Sequence, residues 1–207
     1  GQAVFNVRDF GATGLKAGSA QAAIQKAVDA CAAAGGGTVY VPPGQYSTGT
    51  IHLRSHVRFF VEAGATIYSI KDKAAFPKDP FREALFLGED LVNVTLEGRG
   101  TIDGQGGYDY RLKGNHEDDF IYPNQVEMEK RSLPLTRSFP KPDQFGKLVL
   151  LLRCTDVRIA GLSFLDSPSW TMHLYGCVRT VIDGLYIKSS LKDGVWADGI
   201  DPDGCRD

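Results

Sequence analysis

What this chain lacks narrows its class before any motif is read. No run of about eighteen apolar residues occurs, so no membrane-spanning helix is expected. Four cysteines in 207 residues are too few for a disulfide scaffold. Charge of one sign is missing as well: Lys and Arg number 23 against 25 Asp and Glu, a net −2. That balance excludes a generally basic nucleic-acid binder and a highly charged disordered chain. The opening residues Gly1–Phe5 show no charged segment followed by an apolar stretch, so no signal peptide is visible.

Glycine, at 24 residues, is what the chain has in quantity. Without a collagen-like period, and beside many Val, Ile, Leu and Thr, it points to short strands joined by tight corners. Only one segment reads as helix. Ile24, Ala27, Val28 and Cys31 fall at i, i+3, i+4 and i+7, so a helix with one apolar face is expected over about 19–34, with Ser19 as N-cap. Gly35, Gly36 and Gly37 end it. Strand-length runs follow at Thr38–Val41, Thr50–Leu53, Val57–Val61 and Thr66–Tyr68. They come too closely for helical crossovers between parallel strands.

Internal repetition selects the architecture. Cys154–Phe164 aligns without gaps on Cys177–Ile187 at an offset of 23 residues, matching Ile159 with Ile182, Gly161 with Gly184 and Phe164 with Ile187. Asn93–Gly98 is an earlier, weaker copy, and Cys205 follows Cys177 by 28 residues. Such a period, holding several short strands, is one coil of a solenoid whose equivalent apolar residues stack in columns. The expected fold is therefore an all-β, right-handed parallel β-helix, one domain over 1–207, with the helix capping one end. Cys154, Cys177 and Cys205 form one inward column, read as free thiols. Because Arg206 and Asp207 stand where a new coil begins, the domain is expected to be C-terminally incomplete, its last coil covered by further chain or by a partner. The stretch of about 104–146 does not repeat. It carries Tyr108, Tyr110, Phe120, Tyr122, the acidic Glu117–Asp119 and four prolines, and reads as an inserted loop walling a groove.

The residues that carry chemistry crowd the C-terminal part. Alternation places Ile200 inward, with Asp198 and Asp201 near the outer surface on or beside one strand. Paired carboxylates in a groove suit glycoside hydrolysis, one donating a proton and the other activating water. Turn-forming Asp and Gly at coil corners, or Ca²⁺ binding, are the competing readings of the same spacing. His173 either contacts substrate or is a stacked structural histidine, and strict alternation puts it on the face opposite Trp170. Trp170 either stacks on a sugar or packs as a corner aromatic. Arg153, Arg158, Arg179, Lys188 and Lys192 surround the repeats and could serve an anionic substrate. His116 and Glu117 lack the spacing of a zinc site, and no metal is expected.

Phe5–Ala12, Ala23–Ala27, Gly35–Gly44 and Asn93–Gly104 resemble the opening of the pectin-degrading β-helix enzymes. Ser167–His173 and Asp198–Cys205 continue the likeness, and with them the chain resembles the polygalacturonases, glycoside hydrolase family 28, outside the loop from about 106 to 146. The resemblance implies inverting hydrolysis of galacturonan or rhamnogalacturonan without a cofactor, and a secreted or periplasmic setting. It places the family's Asn-Thr-Asp motif on Trp196–Asp198, making Asp198 the implied catalytic carboxylate, with Asp201, His173, Trp170 and Trp196 around the substrate. Trp196 departs from the family's Asn. The family's adjacent Asp pair, Gly-His-Gly and Arg-x-Lys motifs have no counterpart in these 207 residues, so the chain alone is expected to be inactive. Two rivals use the same fold: a non-catalytic carbohydrate-binding module of adhesin or spike type, and a Ca²⁺-dependent pectate lyase.

Overall fold

The structure is a computed structural model that describes residues 3–106, 126–132, 146–189 and 197–207. Near its start the helix α1 (Gln21–Ala33) buries Ile24, Ala27, Val28 and Cys31 completely, as the spacing predicts. Its N-cap is Ala20, which offers no side-chain bond. Ser19 lies one residue further out, and its Oγ accepts the Gln21 N–H at 3.2 Å, so the expected cap acts from outside the cap position. After α1 the chain turns through Gly35, Gly36 and Gly37 at φ 89°, 111° and 146°. A Cβ on Gly36 or Gly37 would sit 2.5 Å from a backbone carbonyl oxygen of His56 or Ala3, so only glycine fits here.

Strand β1 (Val4–Asn6) precedes the helix, and five three-strand coils follow it. The first is β2 (Gly37–Val41), β3 (Gly44–Thr48) and β4 (Ile51–His52), and the second β5 (Val57–Val61), β6 (Ala65–Ser69) and β7 (Ala84–Glu89). The third is β8 (Val92–Gly98), β9 (Thr101–Asp103) and β10 (Lys147–Leu152). Then come β11 (Thr155–Ala160), β12 (Ser163–Leu165) and β13 (Met172–Tyr175), and finally β14 (Val178–Asp183), β15 (Tyr186–Lys188) and β16 (Ile200–Asp203). Like strands of successive coils pair in parallel, giving three sheets: β1-β2-β5-β8-β11-β14, β3-β6-β9-β12-β15 and β4-β7-β10-β13-β16. This is the parallel β-helix expected from the repeat. Strand β3 escapes a reading of hydrophobic runs because Gln45 and Ser47 face outward between buried Tyr46 and Thr48.

Register follows the repeat. Ile159 pairs with Ile182 and Phe164 with Ile187, while Leu96 of the weaker copy lies beside Ile159. Three inward columns result. One runs Val39, Phe59, Leu96, Ile159, Ile182; the second Tyr46, Ile67, Ile102, Phe164, Ile187; the third Ile51, Phe86, Val149, Met172, Ile200. Every member is buried except the last rung of each. The cysteines stack as expected: Cys154 and Cys177 are buried, Cys205 half-buried, and all are free.

Left-handed glycines mark the corner after the first sheet, at Gly98, Gly161 and Gly184, and part of the corner after the third, at Gly176 and Gly204. The corner directly ahead of the first sheet instead uses His56, Asn93, Asp156, Arg179 and Asp207, at φ 52–64°. Polar side chains one coil apart offset that backbone cost. Arg179 donates to both Asp156 oxygens at 2.7 and 3.1 Å. At another left-handed corner Arg153 donates to both Asp90 oxygens at 2.8 and 3.0 Å. Strand β4 is an edge of its sheet, and α1 supplies the missing neighbour. The Gln25 amide donates to the His52 carbonyl at 3.0 Å and accepts the His52 N–H at 2.8 Å. The non-repeating stretch joins β9 to β10, and glycine fixes its far end: a Cβ on Gly146 would overlap the Glu83 carbonyl. Its aromatic and acidic residues, Tyr108 to Tyr122, lie outside the described residues, as do Lys192 and Trp196.

Depth in a column should govern stability. Ile159→Ala is expected to cost about 2–5 kcal/mol, and Ile182→Ala, in the same column but half-buried, about half as much or less. Urea unfolding of the two variants checks this; equal losses would contradict the columnar core.

Candidate active site on the third sheet

The outer face of the sheet β4-β7-β10-β13-β16 gathers the C-terminal candidates. In β13 Met172 and Leu174 point into the core, so His173 and Tyr175 point out. In β16 Ile200 takes the inward place beside Met172, as alternation requires, and Asp201 lies directly beside His173. Asp198 sits just before β16 and is exposed. Its carbonyl accepts the Thr171 N–H at 2.7 Å and the Gly199 carbonyl accepts the Met172 N–H at 3.1 Å. The approaches to β13 and β16 are thereby tied together, fixing Asp198 against the coil that holds His173.

Trp170 is not on the opposite face from His173. Residues 167–170 form a bend in which Ser167 Oγ donates to the Trp170 carbonyl at 3.3 Å, and alternation starts only at Met172. The indole consequently meets the imidazole edge to face, centroids 4.9 Å apart at 81°. Phe81, from the short turn Pro80–Arg82, lies 5.9 Å from His173 at 80°, and Tyr175 lies 6.1 Å from it at 87°. Three aromatic rings thus box one imidazole. Lys147, the first residue of β10, holds its Nζ 4.9 Å from the Phe81 ring centroid and 5.8 Å from that of Trp170.

Buried polar atoms without partners distinguish this place. His173 is 3% exposed, yet neither ring nitrogen has a hydrogen-bond partner, and Asp201 Oδ2 is buried and unpartnered too, among the described residues. The Asp203 carboxylate stands 3.6 Å from His173 Nε2, too far for a hydrogen bond. Such orphaned groups in a folded protein call for an explanation, and a bound ligand is one.

Burial and the neighbouring Asp198 charge push the Asp201 carboxyl above the ordinary aspartate range, against the pull of His173 and Lys147. The ionised form is the penalised one. Its contribution to stability is full below the ordinary aspartate range and falls as pH rises through the raised value. Burial and the Lys147 cation lower the His173 pKa despite Asp203 and Asp201, so the ring is neutral at pH 7. The native state then holds fewer protons on His173 than the unfolded chain, and stability drops as pH falls through the ordinary histidine range. Burial also lowers Lys147, which Asp201 opposes. At the margin, Arg82 and Arg153 hold the Glu89 carboxyl down at about 2, and Glu89 shares a row with Leu152, Tyr175 and Asp203.

The structure therefore brings together Asp198, Asp201, His173 and Trp170. Sequence reasoning missed Lys147, Phe81 and Tyr175. Tyr175 was accessible to it, two residues beyond His173 on one strand; Phe81 and Lys147 come from distant coils and carry no local signal. The suggested substrate cations are otherwise placed. Arg153, Arg158 and Arg179 pair with Asp90, Glu97 and Asp156, and Lys188 belongs to the sheet of β15. No group of three or more His, Cys, Asp or Glu among the described residues is placed to hold a metal ion.

Asp198→Asn removes a charge that holds the Asp201 pKa up. The Asp201 carboxyl should then titrate at lower pH, read by carbon NMR of its side chain. An unchanged titration would show the two carboxylates to be uncoupled.

The family model described as "Rhamnogalacturonase A/epimerase, pectate lyase-like" matches residues 4–88. A "Probable polygalacturonase" of Vitis vinifera is 30% identical over 187 residues, which are 83% of this chain and 33% of that protein. A mannuronan C5-epimerase of Azotobacter vinelandii is 50% identical over 68 residues, 29% of this chain and 4% of its own length. Among solved structures, a hyperthermoactive exopolygalacturonase of Thermotoga maritima superposes with a TM-score of 0.74 at 25% identity, over 98% of this chain and 50% of that one. The chain thus spans about a third of the Vitis relative and half of the Thermotoga structure. Shared sequence along most of its length and a shared parallel β-helix make this chain a relative of the polygalacturonases, the family its motifs resemble.

Proposed function

We propose that this chain binds an acidic pectic polysaccharide, galacturonan or rhamnogalacturonan, along the outer face of the third sheet and supplies the water-activating carboxylate of an inverting hydrolysis. The observation that carries this reading is the convergence of Asp198 and Asp201 with a buried, unpartnered imidazole between aromatic rings. Asp198 is exposed and placed to take a proton from water as the water attacks the anomeric carbon. The raised Asp201 carboxyl and the neutral imidazole of His173 offer hydrogen bonds to sugar hydroxyls. Trp170 presents an apolar ring to a sugar face. The relatives support an acidic chain, since galacturonan and mannuronan are both polyuronates.

Protonation of the leaving oxygen needs a second carboxyl group. No residue of these 207 is assigned that role, because the family's adjacent Asp pair has no counterpart here. The isolated chain is therefore expected to bind without cleaving, and the site of action to be outside the cytoplasm, where polymeric pectin is met. In the protein that carries this chain, Asp198→Asn should reduce release of reducing ends from polygalacturonate by about 10²–10⁴-fold. Product with the inverted anomeric configuration, followed by proton NMR, supports the proposal. An unsaturated product would instead mark elimination, and binding with no cleavage by the intact protein would mark a carbohydrate-binding module.

A further inference from the structure

Lys147 has no assigned part in the reaction above, yet its placement is unlike that of most cations nearby. Arg58, Arg82, Arg153, Arg158 and Arg179 each pair with a carboxylate, whereas Lys147 forms no ion pair among the described residues. It is half-buried, and two aromatic rings flank its amine. Ring faces offset part of the lost hydration of a cation but leave its hydrogen-bond donors free. Around it stand Asp201 with a buried, unpartnered oxygen and His173 with two unpartnered nitrogens, on a side chain more than nine-tenths buried.

We propose that Lys147 is a specificity-determining residue that receives the carboxylate of a uronate sugar and so selects acidic over neutral polysaccharide. The proposal rests on the binding role of this site. A uronate residue presents one carboxylate beside several hydroxyls. The free Lys147 amine complements the carboxylate, a neutral imidazole N–H can donate to either group, and Asp201 Oδ2 can accept from a hydroxyl. A carboxylate on Lys147 would also favour the charged amine, which burial now disfavours. If Lys147 merely balanced the charge of Asp201, acidic and neutral sugars would bind alike.

The test is calorimetric binding of trigalacturonate and of its carboxyl-reduced, neutral counterpart to this chain. The wild type is expected to favour the acidic ligand by about tenfold or more. Lys147→Gln should abolish that preference while leaving neutral-ligand affinity within about twofold, and Lys147→Arg should keep part of it. A Lys147→Gln protein that retains the preference overturns the inference and leaves the binding reading intact, as does equal binding of both ligands by the wild type. Binding of neither ligand by the wild type overturns both. Should Lys147→Gln fail to fold, acetylation of the native chain, mapped by mass spectrometry, decides: trigalacturonate protects the Lys147 amine and the neutral trimer does not, and equal protection counts against the proposal.

Discussion

Parallel backbone pairing between one coil and the next is the constraint from which the rest of this molecule follows. Neighbouring strands lie about 4.8 Å apart, and their side chains alternate in and out with a period of two. A fixed register therefore converts a sequence repeat into columns, and a residue's column fixes its surroundings. Ile159 is buried because Leu96 and Ile182 occupy the same inward place one coil to either side. A slip of one residue would turn every such side chain to solvent.

The same rule builds the candidate site. Its two central groups are 28 residues apart in sequence, yet strand pairing makes His173 and Asp201 immediate neighbours. Outward positions on a stack of coils form an array whose spacing the backbone has already set, so few side chains need to be ordered afterwards. Aromatic rings from two parts of the chain, Phe81 and the segment holding Trp170 and Tyr175, then exclude water from the imidazole. In that drier setting burial raises the Asp201 pKa and lowers that of Lys147, and the Asp198 charge adds to the rise at Asp201. A polar site whose groups have no partners among the described residues is costly for folding, and occupation by a ligand of matching polarity would relieve that cost.

Competition for charge shapes the rest of the surface. Left-handed corners occupied by Asp and Arg are stabilised from one coil to the next by bidentate pairs, Arg179 with Asp156 and Arg153 with Asp90. Guanidinium groups used in this way are not free to meet a polyanion. The abundance of Arg around the repeats therefore reflects corner geometry, and the cation at the site is a lysine from the start of a different strand.

Much of the fold was legible in the residues alone. The stripe Ile24, Ala27, Val28, Cys31 specified the helix, and the 23-residue offset specified register, because both record which side chains must be buried together. Asp198, Asp201, His173 and Trp170 were legible as candidates, since they lie close in the chain and two of them follow strand alternation. What the sequence could not show was contact between distant segments. Nothing local announces that the Gln25 amide completes the edge of β4, that a bend carries Trp170 around to His173, or that Phe81 and Lys147 complete its enclosure. Periodicity fixes the face on which a side chain lies, because it arises from the backbone geometry of one strand. Which faces meet, and how dry and how charged the space between them becomes, depends on packing across coils, and that only the folded chain decides.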